Sequence, residues 1–114
     1  MVVDRFDSDG LDRLFAALSD ATRRDIVERV LVTEQSVSSL ARRYDMSFAA
    51  IQKHVAVLER AALVRKQRRG REQIVRGDVD TIREAESVLE RYRQLWVDRA
   101  DRISDLLRDS RVAD

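Results

Sequence analysis

The 114-residue chain is 44% hydrophobic and 38% charged, and it contains neither proline nor cysteine. That apolar share supports one core, with more charge than an average domain carries, so a helical protein with salt-rich faces fits and a disordered tail does not. Disulfides and thiolate metal sites are excluded, and the longest apolar run, Leu14 to Leu18, falls far short of the roughly 20 residues that span a bilayer. The expectation is a cytoplasmic protein, one domain over residues 1–114, whose acidic start does not resemble a signal peptide. Net charge is only +1, but residues 34–76 hold ten Lys/Arg against four Asp/Glu, while the rest holds twelve against seventeen. A basic middle between acidic ends points to an anionic partner docked on one face. Twenty of the basic residues are Arg, whose planar fork suits phosphates and guanine edges. GC-rich codon usage accounts for most of the Arg:Lys ratio, but not for the clustering.

Residues 1–9 are acidic and aperiodic, which predicts a frayed end. Leu11, Leu14, Phe15 and Leu18 then recur at helical spacing. Ser19-Asp20 offers a cap for a second helix of about twelve residues, with Ile26, Val27, Val30 and Leu31 on its apolar side. Ser36 caps a short third helix with Val37, Leu40, Ala41 and Tyr44 inward, and Asp45-Met46 is a tight connection. Ser47 caps a fourth helix whose apolar positions are Ile51, Val55, Leu58 and Ala62. Leu63 to Gln67 reads as extended, Arg68-Arg69-Gly70-Arg71 as a hairpin turn, and Gln73 to Arg76 as the returning strand. Gly77 closes the hairpin, and Asp78 or Asp80 caps a last helix of about thirty residues to Asp109, about 45 Å long. The fold class is mainly α with a small β-hairpin: four helices, a two-stranded hairpin and one long helix, the order of a winged helix-turn-helix.

Two constellations carry the chemistry. A short helix pair joined by a tight turn can set its second helix in a DNA major groove. Ser47, Phe48, Ala49, Gln52 and Lys53 then face the bases. Gln pairs bidentately with adenine, Lys donates to guanine or phosphate, and Phe48 and Ala49 suit thymine methyl groups. Arg42 and Arg43, just before the turn, join this DNA-facing set. Taken alone, such a pair more often describes an ordinary helical hairpin with a solvated polar face. The second constellation is the basic hairpin. Six basic residues between Arg65 and Arg76 are opposed only by Glu72, more than solubility requires. Arg68, Arg69 and Arg71 at its tip are placed to meet backbone or minor groove.

The two in this order resemble the ArsR/SmtB family of winged-helix repressors. Phe15-Ala16-Ala17-Leu18-Ser19-Asp20-Ala21-Thr22-Arg23-Arg24 resembles the family's "L-x-D-P-T-R" opening, with Ala21 in place of proline. Residues 46–64 resemble its recognition helix, "S-x-x-x-S-x-H-L-x-x-L-x-x-A-G-L-V", with Gln52 in place of serine and Ala62 in place of glycine. Leu89 to Trp96 is similar to a metal-independent branch often encoded beside START-like (SRPBCC) proteins and thought to repress its own operon. The resemblance spans about residues 11–107 and implies a homodimeric repressor on double-stranded operator DNA, with no membrane, no cofactor and no catalysis. The family often carries a His where His54 stands, which implies a DNA-phosphate or helix-packing role for it rather than a catalytic one. The family's Cys-Val-Cys metal site reads Ser36-Val37-Ser38-Ser39-Leu40 here, so no metal is expected to act through it. Asp98, Asp101 and Asp105 share a helical face, with Arg99, Arg102 and Arg108 nearby, and read as a solvated ion-pair face.

A last helix of that length exceeds what so small a domain covers, so part of its apolar stripe must meet another chain. Ile82, Leu89, Trp96 and Ile103 recur at intervals of seven, with Ala85, Tyr92 and Leu106 in companion positions that Arg99 interrupts. The family dimerises through its first and last helices. The expected interface is therefore Leu11, Leu14, Phe15, Leu89, Tyr92, Trp96, Ile103 and Leu106, from helices near 11–18 and 78–109. The competing reading is a winged-helix module that docks an acidic protein through its basic hairpin.

Overall fold

Side-chain oxygens start each of the first four helices by accepting a backbone N–H three residues on. The computed structural model describes residues 7–112; residues 1–6 of the expected frayed end lie outside them. Asp7 Oδ1 accepts from Gly10 N at 2.8 Å and opens α1 (Ser8–Leu18) earlier than the periodicity predicts. Asp20 accepts from Arg23 N at 3.0 Å and opens α2 (Ala21–Val32). That bond, ahead of the nearby Arg23 charge, holds the Asp20 carboxyl below its ordinary range. Ser36 caps α3 (Val37–Ala41), and Ser47 caps α4 (Phe48–Arg60), as read from the sequence.

β2 (Val64–Arg69) and β3 (Glu72–Gly77) form the hairpin, and Gly70, at φ +65°, takes the first position of its two-residue turn. A third strand, β1 (Gln35–Ser36), pairs antiparallel with β3, so the sheet order is β1-β3-β2 and the expected hairpin is a three-stranded sheet. Two residues have no periodicity to read. β1 exists only because β3 offers it an edge. Gly77 lies against α2: a Cβ there would sit 2.4 Å from Leu31 Cδ2, so any larger residue would force the Leu31 side chain to move.

The core joins Leu14 and Ala17 of α1, Ile26 and Val30 of α2, Leu40 of α3, and Ile51, Val55 and Leu58 of α4 to Val64 and Val75 of the sheet. Leu14 is wholly buried there. It therefore has no surface left for a second chain, and its place in the expected dimer seam is corrected. Leu11 is half-buried and Phe15 is exposed, so the outward side of α1 falls to them.

α4 ends in a Schellman motif. Ala62 N donates to Glu59 O at 2.9 Å, and Leu63 N donates to Leu58 O at 3.0 Å. Ala62 takes the left-handed conformation this demands, φ +59°, the position where the resembled family has glycine. Thr81 Oγ1 donates to Ala62 O at 2.6 Å and locks it. A left-handed alanine costs about 1–2 kcal/mol, and glycine gives back part of that as unfolded-state entropy. Ala62→Gly is therefore expected to stabilise the protein by about 0.5–1 kcal/mol, a rise in thermal midpoint of a few degrees that calorimetry would register.

α5 (Val79–Val112) is one 34-residue helix. The chain forms two compact units divided after Ile82. The second is this helix from Arg83 onward, and among its exposed residues are Leu89, Tyr92, Leu95, Trp96, Ile103, Leu106 and Leu107. No helix among the described residues is long and apolar enough to cross a membrane.

Candidate nucleic-acid interface

The turn between α3 and α4 is clamped to α2 by one cluster. Tyr44 Oη donates to Asp25 Oδ2, Arg29 Nε donates to the same oxygen at 2.9 Å, and the Arg29 guanidinium lies 5.8 Å from the Tyr44 ring centre. The Tyr44 hydrogen bond, then that from Arg29, holds the Asp25 carboxyl low. Burial, then the Asp25 bond, pushes the Tyr44 phenol up to about 12, so it remains a donor at any physiological pH. Sequence periodicity placed Tyr44 inward; it could not supply Asp25, nineteen residues away.

From that clamp α4 projects its amino-terminal end into solvent. Ser47 Oγ accepts from Ala50 N at 3.1 Å, while Ile51, Val55 and Leu58 face the core. Phe48, Ala49, Gln52 and Lys53 are exposed together on the first turns, as expected. The first turn of α4 has no acidic residue. Arg42, the C-cap of α3, and Arg43 are exposed beside the turn, and Arg43 Nε donates to Gln35 Oε1 at 3.2 Å.

His54 departs from this set. It is half-buried, with Nδ1 3.3 Å from Arg23 Nη1. Arg23 also donates to Ala17 O at 2.7 Å and Ala16 O at 3.1 Å, and Arg24 Nη1 donates to Leu18 O at 2.7 Å. Arg23 and Arg24 therefore cap the carbonyl end of α1, and His54 docks α4 onto that junction. Of the two roles open to His54, this contact supports packing. Helical spacing turns His54 about 100° from its exposed neighbour Lys53, but only the fold brings Arg23 to it.

The strand register divides the hairpin's charges. Lys66 pairs with Val75, and Arg68 with Gln73, so these share the face toward α4. Val37, Gln52, Val55, Lys66 and Gln73 line a crevice there of about 140 Å³, below the roughly 300–1,000 Å³ of a small-molecule site. Lys66 Nζ lies 3.4 Å from Glu59. The opposite face carries Arg65, Gln67 and Arg69. Arg69 Nη1 is 2.8 Å from Glu34 Oε1, a partner the sequence reading missed because it lies thirty-five residues back. Arg68 Nε donates to Gly70 O at 3.3 Å across the turn, and Arg71 is exposed at the tip.

At the base of the hairpin, Arg65 Nε donates to Asp78 Oδ2 at 2.9 Å, and Asp78 Oδ1 accepts from Asp80 N at 3.0 Å, opening α5. Burial raises the Asp78 carboxyl, but the Arg65 bond and charge and the Asp80 and Thr81 amides outweigh it, leaving it below its ordinary value. A lowered carboxylate stabilises the fold above its unfolded pKa of about 3.9, and that contribution is lost as pH falls through the folded value. Asp78→Asn is expected to cost about 1–3 kcal/mol at pH 7 and to flatten the loss of stability below about pH 4. Urea midpoints at pH 7 and pH 3 check this; equal acid sensitivity in variant and wild type would refute it.

Among the described residues, no three His, Asp or Glu side chains are grouped to hold a metal ion. Asp98 accepts from Gln94 Nε2 at 3.0 Å, and Asp105 pairs with Arg108 at 3.4 Å.

No family model matches the chain. An ArsR-like transcriptional regulator from Rhodococcus sp. RHA1 superimposes with a TM-score of 0.76 at 36% identity, covering 86% of this chain and 92% of that one. A homodimeric winged helix-turn-helix DNA-binding domain from Mycobacterium bovis aligns with a TM-score of 0.63 at 22% identity, over 77% of this chain and 87% of that one, a likeness of fold alone. In sequence, 53 residues are 45% identical to an HTH-type transcriptional regulator of Mycobacterium tuberculosis. That match takes in 46% of this chain and 50% of the relative, so the chain spans half that relative's length.

Proposed function

This chain belongs to the ArsR family of winged helix-turn-helix transcriptional regulators, and we propose that it is a homodimeric repressor of double-stranded operator DNA, its own promoter included. The observation that carries this is the exposed, acid-free first turn of α4, with Phe48, Ala49, Gln52 and Lys53 outward and Arg42, Arg43 and the basic hairpin in the same unit. Two such helices related by a two-fold axis read successive major grooves of an inverted repeat, while Arg68 and Arg71 grip flanking phosphates. The protein works without catalysis. The Leu89 to Trp96 stretch, through its likeness to the metal-independent branch encoded beside START-like proteins, supports a member of that branch.

A gel-shift titration against the DNA upstream of its own coding sequence, with random duplex as competitor, tests this. Retention that survives excess competitor is expected; equal loss to any duplex would overturn operator recognition. On the retained site, Gln52→Ala should cost about 1–3 kcal/mol while leaving affinity for random duplex unchanged. If both fall equally, Gln52 contacts backbone and reads no base.

A further inference from the structure

Two large apolar side chains are exposed within the basic middle of the chain. Phe48, the first residue of α4, is 47% exposed, and Met46, in the turn before it, is 41% exposed. Neither is needed to seat the helix, which Ile51, Val55 and Leu58 already hold. Ala49 beside them is exposed as well. Arg42, Arg43 and Lys53 surround this end in sequence and are exposed, and Asp45 is the one acidic residue between Arg42 and Lys53. A surface with this charge selects a polyanion. The apolar group that a polyanionic duplex presents at its major-groove base edges is the 5-methyl of thymine.

We propose that Phe48, flanked by Met46 and Ala49, reads thymine through its 5-methyl group, so that each operator half-site requires thymine where the first turn of α4 enters the groove. This rests on the DNA docking of α4 proposed above and adds to it a particular base. Phe48 and Gln52 are four residues apart and share one helix face. The contact that selects thymine by its methyl therefore lies next to the side chain suited to adenine. Cytosine lacks that methyl and presents an amino group instead, so an apolar ring rejects it twice: by the missing contact and by an unpartnered donor.

The test begins with sites enriched by the wild-type dimer from a random duplex library. The most enriched duplex, fluorescently labelled, is the probe. Each thymine is replaced in turn by deoxyuridine, which keeps the pairing edge and removes only the methyl. At one or more thymines per half-site the replacement should weaken wild-type binding about fourfold, the worth of one buried methyl. The same replacement should change Phe48→Ala binding by less than about twofold, while Phe48→Leu, still apolar, retains the methyl preference. Circular dichroism and an unchanged thermal midpoint show that the variants are folded. The proposal is overturned if every replacement leaves wild-type affinity within about twofold, or if the penalty is equally large in Phe48→Ala and Met46→Ala. Enrichment of no sequence over random duplex would overturn operator recognition and this proposal together. An enriched site indifferent to methyl loss would overturn this proposal alone.

Discussion

Replacing Trp96 by alanine is expected to destabilise the assembled protein by about 3–5 kcal/mol per chain, the transfer and cavity cost of a lost indole. Within one chain Trp96 is 65% exposed, and Leu106 further along is 69% exposed. Leu89, Tyr92 and Ile103 of the heptad seam are exposed too. Arg99, which interrupts the seam, has its guanidinium 5.7 Å from the Trp96 ring centre, so the break in the apolar pattern is partly covered by a stacked cation. Leu95 and Leu107, outside the expected seam, flank it and are exposed. The stripe is thus wider than two helices need and suits contact with more than one helix of the assembly. Leaving it in water forfeits about 25 cal/mol for each Å². Sedimentation equilibrium at low micromolar concentration should give a mass near 26 kDa, twice the 13.2 kDa of the chain. Trp96→Ala should shift the mass toward the monomer and make unfolding more dependent on concentration. Operator affinity should fall with it, because a monomer loses the effective concentration of the second half-site. A 13.2 kDa wild-type monomer that still binds an inverted repeat tightly would defeat the dimer proposal.

Removing the charges at the hairpin tip should have the second-largest effect, and it should be unequal. Arg68→Ala and Arg71→Ala are each expected to flatten the slope of log affinity against log salt by about 0.9, for specific and random DNA alike. Arg69 must first leave Glu34, its partner at 2.8 Å on the opposite face of the sheet, so Arg69→Ala should change the slope less. That ion pair is more than a third exposed on both sides and is worth little in itself, so it biases Arg69 without trapping it. Salt titrations of the three single variants and the triple variant, read by anisotropy, check the order. An unchanged slope in the triple variant would remove the hairpin from the DNA-contacting surface.

Much of this architecture could be read from residues close together in the chain. The caps at Asp20, Ser36 and Ser47 act over three residues, and the Gly70 turn over two, so short-range chemistry specified where α2, α3 and α4 begin and where the hairpin reverses. The exposed row on α4 followed from the same periodicity that buries Ile51, Val55 and Leu58. What depended on distant segments was decided only by tertiary structure. β1 is two residues long and is made a strand by β3. His54 meets Arg23, thirty-one residues earlier, at the α1–α2 junction, and Arg69 acquired Glu34 across thirty-five. Leu14 and Phe15 both belong to the apolar pattern of α1, yet one is sealed in the core and the other stays in water. Periodicity places side chains around a helix axis; which of them meets the chain's own core depends on where the other helices pack, and that is a property of the folded whole.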